Sequence, residues 1–294
     1  MELFVLFILG LVLGSFLNVL TLRYNPDAKF SMRAIRGRSR CMSCSKQLRW
    51  YELIPLISFI IQKGKCRSCR TKISWQYPLV ELAMGCIAVG VWYIFTQIFI
   101  LPSSSLLLLG LVVAFWILVS TTLLFAFIID ARHYIIPNGT NLFIGLLGLL
   151  WTVFLWRGGF DSEIARGSFL LHFAPLIEPW STVLLNHIVG MLVVGVFFFF
   201  LVFATRGRGM GVGDIKLIAA LGLLFGWPDI LLIVVLSFIL GTLFVSPLLI
   251  IRRKKGSDHI PFGPFIILAS FVVFFWGAGL LGIYFDIIQR IGSF

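Results

Sequence analysis

LLLLGLVVAFWILVSTTLLFAFIIDARHYIIPN, residues 106–138, decides the fold. From 106 to 129 it carries no charged side chain, and roughly 20 predominantly apolar residues suffice to cross a bilayer as a helix. The run closes on a lone acid, Asp130, and Pro137-Asn138 opens a second apolar stretch. The same composition extends over the whole chain. Of 294 residues, 60% are hydrophobic and only 12% charged, where a soluble domain carries about 25% charged residues. Thirty Phe and nine Trp exceed what one soluble core can hide. These numbers exclude a soluble globular enzyme, a disordered chain and a secreted disulfide scaffold, and they imply a polytopic membrane protein.

Apolar runs of spanning length lie at about 3–22, 78–100, 106–129, 136–156, 181–204, 230–251 and 262–285, and a shorter one at about 215–227 follows a Gly-rich turn. The first has neither a basic n-region nor a small-residue cleavage site, so it reads as a retained helix. Counting the short run as an eighth span and placing the N-terminus outside puts 21 of the 24 Lys and Arg on the cytoplasmic face, including thirteen within 23–76. The net charge of +12 is thereby explained by basic loops beside anionic lipid, with no nucleic-acid partner. The expected fold is an all-α polytopic membrane protein of about eight transmembrane helices with a small cytoplasmic zinc-ribbon-like insert. Residues 1–22 are the first transmembrane helix, 23–76 the inserted cytoplasmic loop, and 77–294 a membrane core of about seven further helices. The loop at 157–180 shows no chemical motif, Phe197–Phe200 reads as a lipid-facing or packing run, and no repeat of 20–50 residues is evident.

The insert holds Cys41-x-x-Cys44 and Cys66-x-x-Cys69. Each such turn aims two sulfurs at one point, and Zn²⁺ accepts four soft ligands, so the four cysteines form a candidate structural metal site. About 54 residues with few apolar side chains build little core, so metal binding would supply folding energy. Two disulfides or a redox pair are the competing readings; a reducing compartment disfavours the first, and the second needs only one pair. A catalytic zinc is disfavoured because four cysteines leave no open position. The fifth cysteine, Cys86, falls within a span and is expected to be a small buried hydrophobe.

Twelve acids are few enough to weigh singly. Glu2, Asp27, Asp161, Glu163, Glu178, Asp229, Asp258 and Asp286 fall in loops or at termini, where solvation accounts for them. Glu81, Asp130 and Asp214 lie at or within apolar spans, where function is the default explanation. Glu81 follows Tyr77-Pro78 and reads first as a first-turn acid favoured by the helix dipole. Asp130 and Asp214 fall at one membrane depth on different helices. If they meet, the pair shares a proton. One carboxylate then activates water against a peptide carbonyl while the other polarises that carbonyl and protonates the leaving amine. Glycines at 207, 209, 211 and 213 precede the helix, and the Gly-x-Gly directly before Asp214 would let an extended peptide lie beside the acid. The plainer alternatives are an acid that snorkels to the interface or, for Asp214, one that caps residues 215 onward. His133 reads as a solvated interfacial histidine.

In order along the chain, GSFLNVLTLRYNP (14–26), the cysteine loop RCMSCSKQLRWYELIPLISFIIQKGKCRSCRTKISWQYPLVEL (40–82), Asp130 with Ile136-Pro137-Asn138, GMGVGDIKLIAALG (209–222) and IPFGPFIILA (260–269) resemble the type IV prepilin peptidases, bifunctional leader peptidase/N-methyltransferases of bacterial pilus and type II secretion systems. The resemblance implies that Asp130 and Asp214 carry cleavage and that Cys41, Cys44, Cys66 and Cys69 bind zinc. It implies a prepilin or pseudopilin substrate, whose short basic leader is cut after Gly, and N-methylation of the new N-terminus from S-adenosylmethionine, all at the inner membrane. No Gly-rich Rossmann-type loop marks a site for that donor, and Glu52 and Glu81 are weak candidates for orienting it, each as well explained structurally. A peptidase without methyltransferase activity, an ion-coupled transporter lined by the two acids with a structural zinc loop, and a pilus-machinery scaffold are the alternatives. The transporter reading needs acids near the midplane or paired broken helices, and neither pattern is present.

Overall fold

The computed structural model describes residues 1–26, 37–98, 106–158, 168–174, 182–206, 210–250 and 260–292. Asp27, Asp161, Glu163, Glu178, Asp258 and the basic run 252–255 lie outside them. Among the described residues the regular structure is helical: α1 (Glu2–Arg23), α2 (Ile57–Ile61), α3 (Gln76–Tyr93), α4 (Leu106–His133), α5 (Asn138–Gly158), α6 (Val183–Ala204), α7 (Val212–Phe225), α8 (Asp229–Ile250) and α9 (Gly263–Gly292). No strand is present among them, only the isolated bridges Arg40–Gln47 and Lys65–Lys72. Among the described residues seven helices are long and apolar enough to cross a membrane. The eighth apolar run is helical too, as α7, but has 14 residues, about 21 Å against an apolar layer of about 30 Å.

The chain divides into two compact units, Met1–Phe125 and Ala126–Phe294. In the first, α1 and α3 pack antiparallel: Gly10 faces the backbone of Met84 and Gly85, Gly14 faces Glu81, and Asn18 Nδ2 donates to the Tyr77 carbonyl at 3.1 Å. Small residues let the backbones close in, which is how apolar helices gain packing energy where lipid offers no hydrophobic drive. The packed face of α3 is Glu81, Met84, Gly85, Ala88 and Val91. Cys86 lies on the other face and is exposed, not buried as expected, because a helix in lipid presents apolar side chains outward. After α3 the chain widens into a five-residue π turn, Ile94–Ile98, and Phe95 packs on Trp116 of α4 with ring centroids 6.3 Å apart.

In the second unit α7 is the buried centre. It runs parallel to α5, with Asn141 at Gly213 and Gly148 at Leu224, and antiparallel to α6, with Gly195 at Ala219 and Gly190 at Gly222. It therefore returns the chain from the end of α6 to the start of α8. At its C-terminal end the Leu223 carbonyl accepts from Thr152 Oγ1 at 3.1 Å and pairs with His187 Nδ1 at 2.8 Å. Asp229, expected to be solvated, is instead fully buried on the first turn of α8. Its carboxylate accepts from the Ser168 hydroxyl (2.5 Å) and the Phe169 N–H (2.7 Å), which holds segment 168–170 against the bundle. The Phe run divides: Phe198 is buried, whereas Phe197, Phe199 and Phe200 face outward.

Candidate active site and four-cysteine centre

The apolar helix α4 stops just beyond Asp130. Tyr134 adopts a left-handed conformation (φ 58°) and donates its N–H to the Asp130 carbonyl at 2.8 Å, a helix-ending turn. Ile136 and Pro137 follow in a connection that suits neither helix, and the Pro137 carbonyl then accepts the N–H of Thr140 and Asn141 to open α5. Asp130 is thus fixed at a sharp bend and buried, and its Oδ2 has no hydrogen-bond partner among the described residues.

Asp214 stands on the first turn of α7 and is also buried. It is not the N-cap; Gly211 is, with extended backbone. Asp214 Oδ2 accepts from the Gly211 N–H at 3.1 Å, and the Asp214 N–H donates to the Gly211 carbonyl at 3.1 Å. The capping of residues 215 onward considered as an alternative does not form: Asp214 lies inside the helix, and one of its oxygens bonds backwards to the N-cap, Gly211. Two bonds tie this turn to α5: Asn141 Nδ2 donates to the Gly213 carbonyl (3.2 Å), and Lys216 Nζ to Asn138 Oδ1 (2.7 Å).

These constraints bring the two carboxyls within electrostatic reach of each other, and the backbone amide of Gly263, at the start of α9, faces both. A Cβ at Gly263 would overlap Asp130 Oδ2 and crowd Ile136 Cδ1, so a side chain there would displace the carboxyl. Asn141 Oδ1, also buried, has no partner among the described residues. An apolar cavity of about 460 Å³ is lined by Met210, Thr205, Phe238, Thr242 and Phe262 among others, and neither Asp130 nor Asp214 lines it. Met210 and Phe262 immediately precede Gly211 and Gly263. Sequence reasoning missed Asn141 and the Lys216–Asn138 bond. An Asn inside an apolar span was the available signal, since such a group must find a partner.

The cysteine module is built twice. Ser45 N–H donates to the Cys41 carbonyl and Cys41 N–H to Lys46; Arg70 N–H donates to the Cys66 carbonyl and Cys66 N–H to Thr71. Ser45 and Arg70 take left-handed conformations, φ 56° and 61°. RCMSCSKQL (40–48) and KCRSCRTKI (65–73) thus form a local repeat 25 residues apart (66 − 41), which the sequence reading did not recognise. The pseudo-symmetric turns point four sulfurs inward, all within 4.8 Å of one another, with Cys41 and Cys69 at 3.8 Å. A tetrahedron of sulfurs on bonds of about 2.3 Å has edges of about 3.8 Å, so the donor set fits a tetrahedral soft cation. All four are free thiols, against the disulfide reading. The Thr71 hydroxyl and backbone hold the Cys69 thiol down at about 6 while Cys44, in the same cluster, is pushed up to about 11, so the four thiols do not ionise alike.

The two acids weighed for orienting the methyl donor, Glu52 and Glu81, act as ties. Glu52 accepts from the Arg49 N–H at 2.8 Å within the turn Trp50–Glu52. Glu81 lies beyond the first turn of α3, buried, and its Oε2 accepts from the Leu56 N–H at 2.8 Å, so the dipole reading gives way to a tether between the cysteine module and α3.

The match with known proteins follows this division. Residues 8–95 match the bacterial peptidase A24 N-terminal domain, and 116–246 the type IV leader peptidase family. A prepilin leader peptidase/N-methyltransferase of Stutzerimonas stutzeri is 31% identical, over 92% of this chain and 89% of its own length. Proteins of the same name from Pseudomonas aeruginosa (92% and 89% covered) and Xanthomonas campestris (93% and 91%) are each 30% identical. The chain belongs to the type IV leader peptidase family. No solved structure matches it. Within the family models, α1, the cysteine module and α3 form the first matched region, and the second holds both Asp130 and Asp214.

Proposed function

We propose that this protein is a membrane aspartic endopeptidase that removes the short basic leader of prepilins or pseudopilins after Gly, and that it N-methylates the new N-terminal residue using S-adenosylmethionine. The observation that carries the reading is the buried pair Asp130 and Asp214, converging from the ends of two apolar helices around one backbone amide. Two carboxyls so placed share one proton. The ionised member removes a proton from water as that water attacks the scissile carbonyl. The protonated member hydrogen-bonds the carbonyl oxygen, and as the C–N bond breaks the departing amine takes up a proton. The unpartnered oxygens of Asp130 and Asn141 are acceptors suited to the N–H donors of an extended peptide. The apolar cavity suits the hydrophobic residue that follows the cut.

Cys41, Cys44, Cys66 and Cys69 would hold Zn²⁺, which supplies folding energy to the module and no hydrolytic water. S-adenosylmethionine supplies the methyl group, and no residue is assigned to it. The concentration of basic side chains supports an inner-membrane, multi-pass placement with the cysteine loop and the acids on the cytoplasmic side. It also supports the division into a first helix (1–22), a zinc-binding loop (23–76) and a protease core (77–294). Asp130→Asn and Asp214→Asn test the peptidase directly. Each is expected to lower leader cleavage by at least about 100-fold with helicity by circular dichroism unchanged. Cleavage retained in both variants would rule the dyad out.

A further inference from the structure

We propose that the short helix α2 lies in the interfacial layer of an anionic bilayer, with Ile57, Ile60 and Ile61 in the acyl region and the basic side chains of the cysteine module on the headgroups. The three isoleucines occupy i, i+3 and i+4, one face of the helix, and are 54%, 72% and 62% exposed. Trp75, 70% exposed at the N-cap of α3, packs its ring 5.1 Å from that of Phe59, on the side of α2 away from the isoleucines. Trp at the end of a spanning helix marks the headgroup level.

Depth follows from the tether. The Leu56 N–H, just before α2, is bound by Glu81, whose backbone packs on Gly14 of α1. Gly14 lies nine residues before Arg23, the end of α1, which is about 13 Å along the helix. The start of α2 is therefore held alongside two spanning helices, below the end of α1. Water at that level would leave an isoleucine face unburied, whereas lipid covers it. Charge selects the lipid: between Arg38 and Lys72 the module has nine Lys and Arg against one acid, Glu52, and each basic group near an anionic surface adds to its hold.

The test uses the full-length protein and its Trp75→Phe variant, reconstituted into phosphatidylglycerol/phosphatidylcholine vesicles; the emission lost in the variant is that of Trp75. This emission is expected to be quenched by lipids brominated on the upper acyl chain and insensitive to aqueous acrylamide. Hydrogen exchange across residues 57–62 is expected to be slower by about threefold or more in these vesicles than in phosphatidylcholine alone. Ile60→Asp should lose the bromolipid quenching while circular dichroism stays unchanged. Acrylamide quenching without bromolipid quenching, or equal exchange in the two lipids, overturns the proposal. Protection of Trp75 that develops only when a prepilin is added also overturns it and assigns the face to substrate.

Discussion

Glu81 and Asp229 show what a buried acid does in this bundle when it is not part of the Asp130–Asp214 pair: each accepts backbone or hydroxyl donors from a segment that would otherwise be loose. Glu81→Ala strands the Leu56 N–H, and stability should fall by about 1–3 kcal/mol, read as a lower unfolding temperature in detergent. Cys86→Ser serves as the control on the same helix and should leave that temperature nearly unchanged, since the side chain faces outward. An unaffected Glu81→Ala protein would show that the tether contributes nothing. Asp130 and Asp214 were legible in the sequence because charge inside an apolar run is costly and therefore conspicuous. Asp229 was not, because immediately after Trp227-Pro228 it looked like any loop acid, and its partners Ser168 and Phe169 are some sixty residues away. Asn141 was missed for a related reason: a polar amide near a helix start looks tolerable until its bond to the Gly213 carbonyl is seen.

At the level of elements, the spanning helices follow from hydropathy alone, while two features depend on tertiary geometry. The first is α7, whose length falls short of a full crossing; if its C-terminal end reaches one edge of the apolar layer, its first turn starts inside the other, which accounts for a buried Asp214. Its contact with α6 leaves no room for side chains: a Cβ at Gly222 would sit 2.8 Å from the Gly190 carbonyl. Gly222→Val should therefore cost about 1–3 kcal/mol or more by overpacking, with a lower thermal midpoint and reduced cleavage; a variant as stable as the parent would mean that the helices do not meet there. The second feature is the doubled cysteine turn. The CxxC spacing identified the four ligands, but the shared backbone pattern around Ser45 and Arg70 emerges only from hydrogen bonds. Elemental analysis of the purified protein should find one zinc per chain. Cys41→Ser or a strong chelator should lower that content and open the module to proteolysis within residues 40–73, whereas a metal-free protein that resists protease equally would refute the folding role.

For the molecule as a whole, the two compact units each carry one half of the chemistry that the sequence isolates, four thiols in the first and two carboxyls in the second. The class of protein was readable from composition, and the family from five motifs in order, because membrane packing and buried charge leave few alternatives at those positions. What the sequence did not disclose is how the acids are held: a left-handed Tyr134, a backward bond between Asp214 and Gly211 and a Gly263 packed against the Asp130 carboxyl. Methyl transfer is the activity that physical reading of the residues reaches least, since it rests on the family and on no assigned side chain. The most direct test of the account is the intact mass of a prepilin after incubation with the purified protein and S-adenosylmethionine in native-like lipid. The account predicts loss of the leader after Gly and a gain of one methyl group on the new N-terminus. A substrate whose mass does not change, with its native partner pilin and a protein shown to be folded, would contradict it.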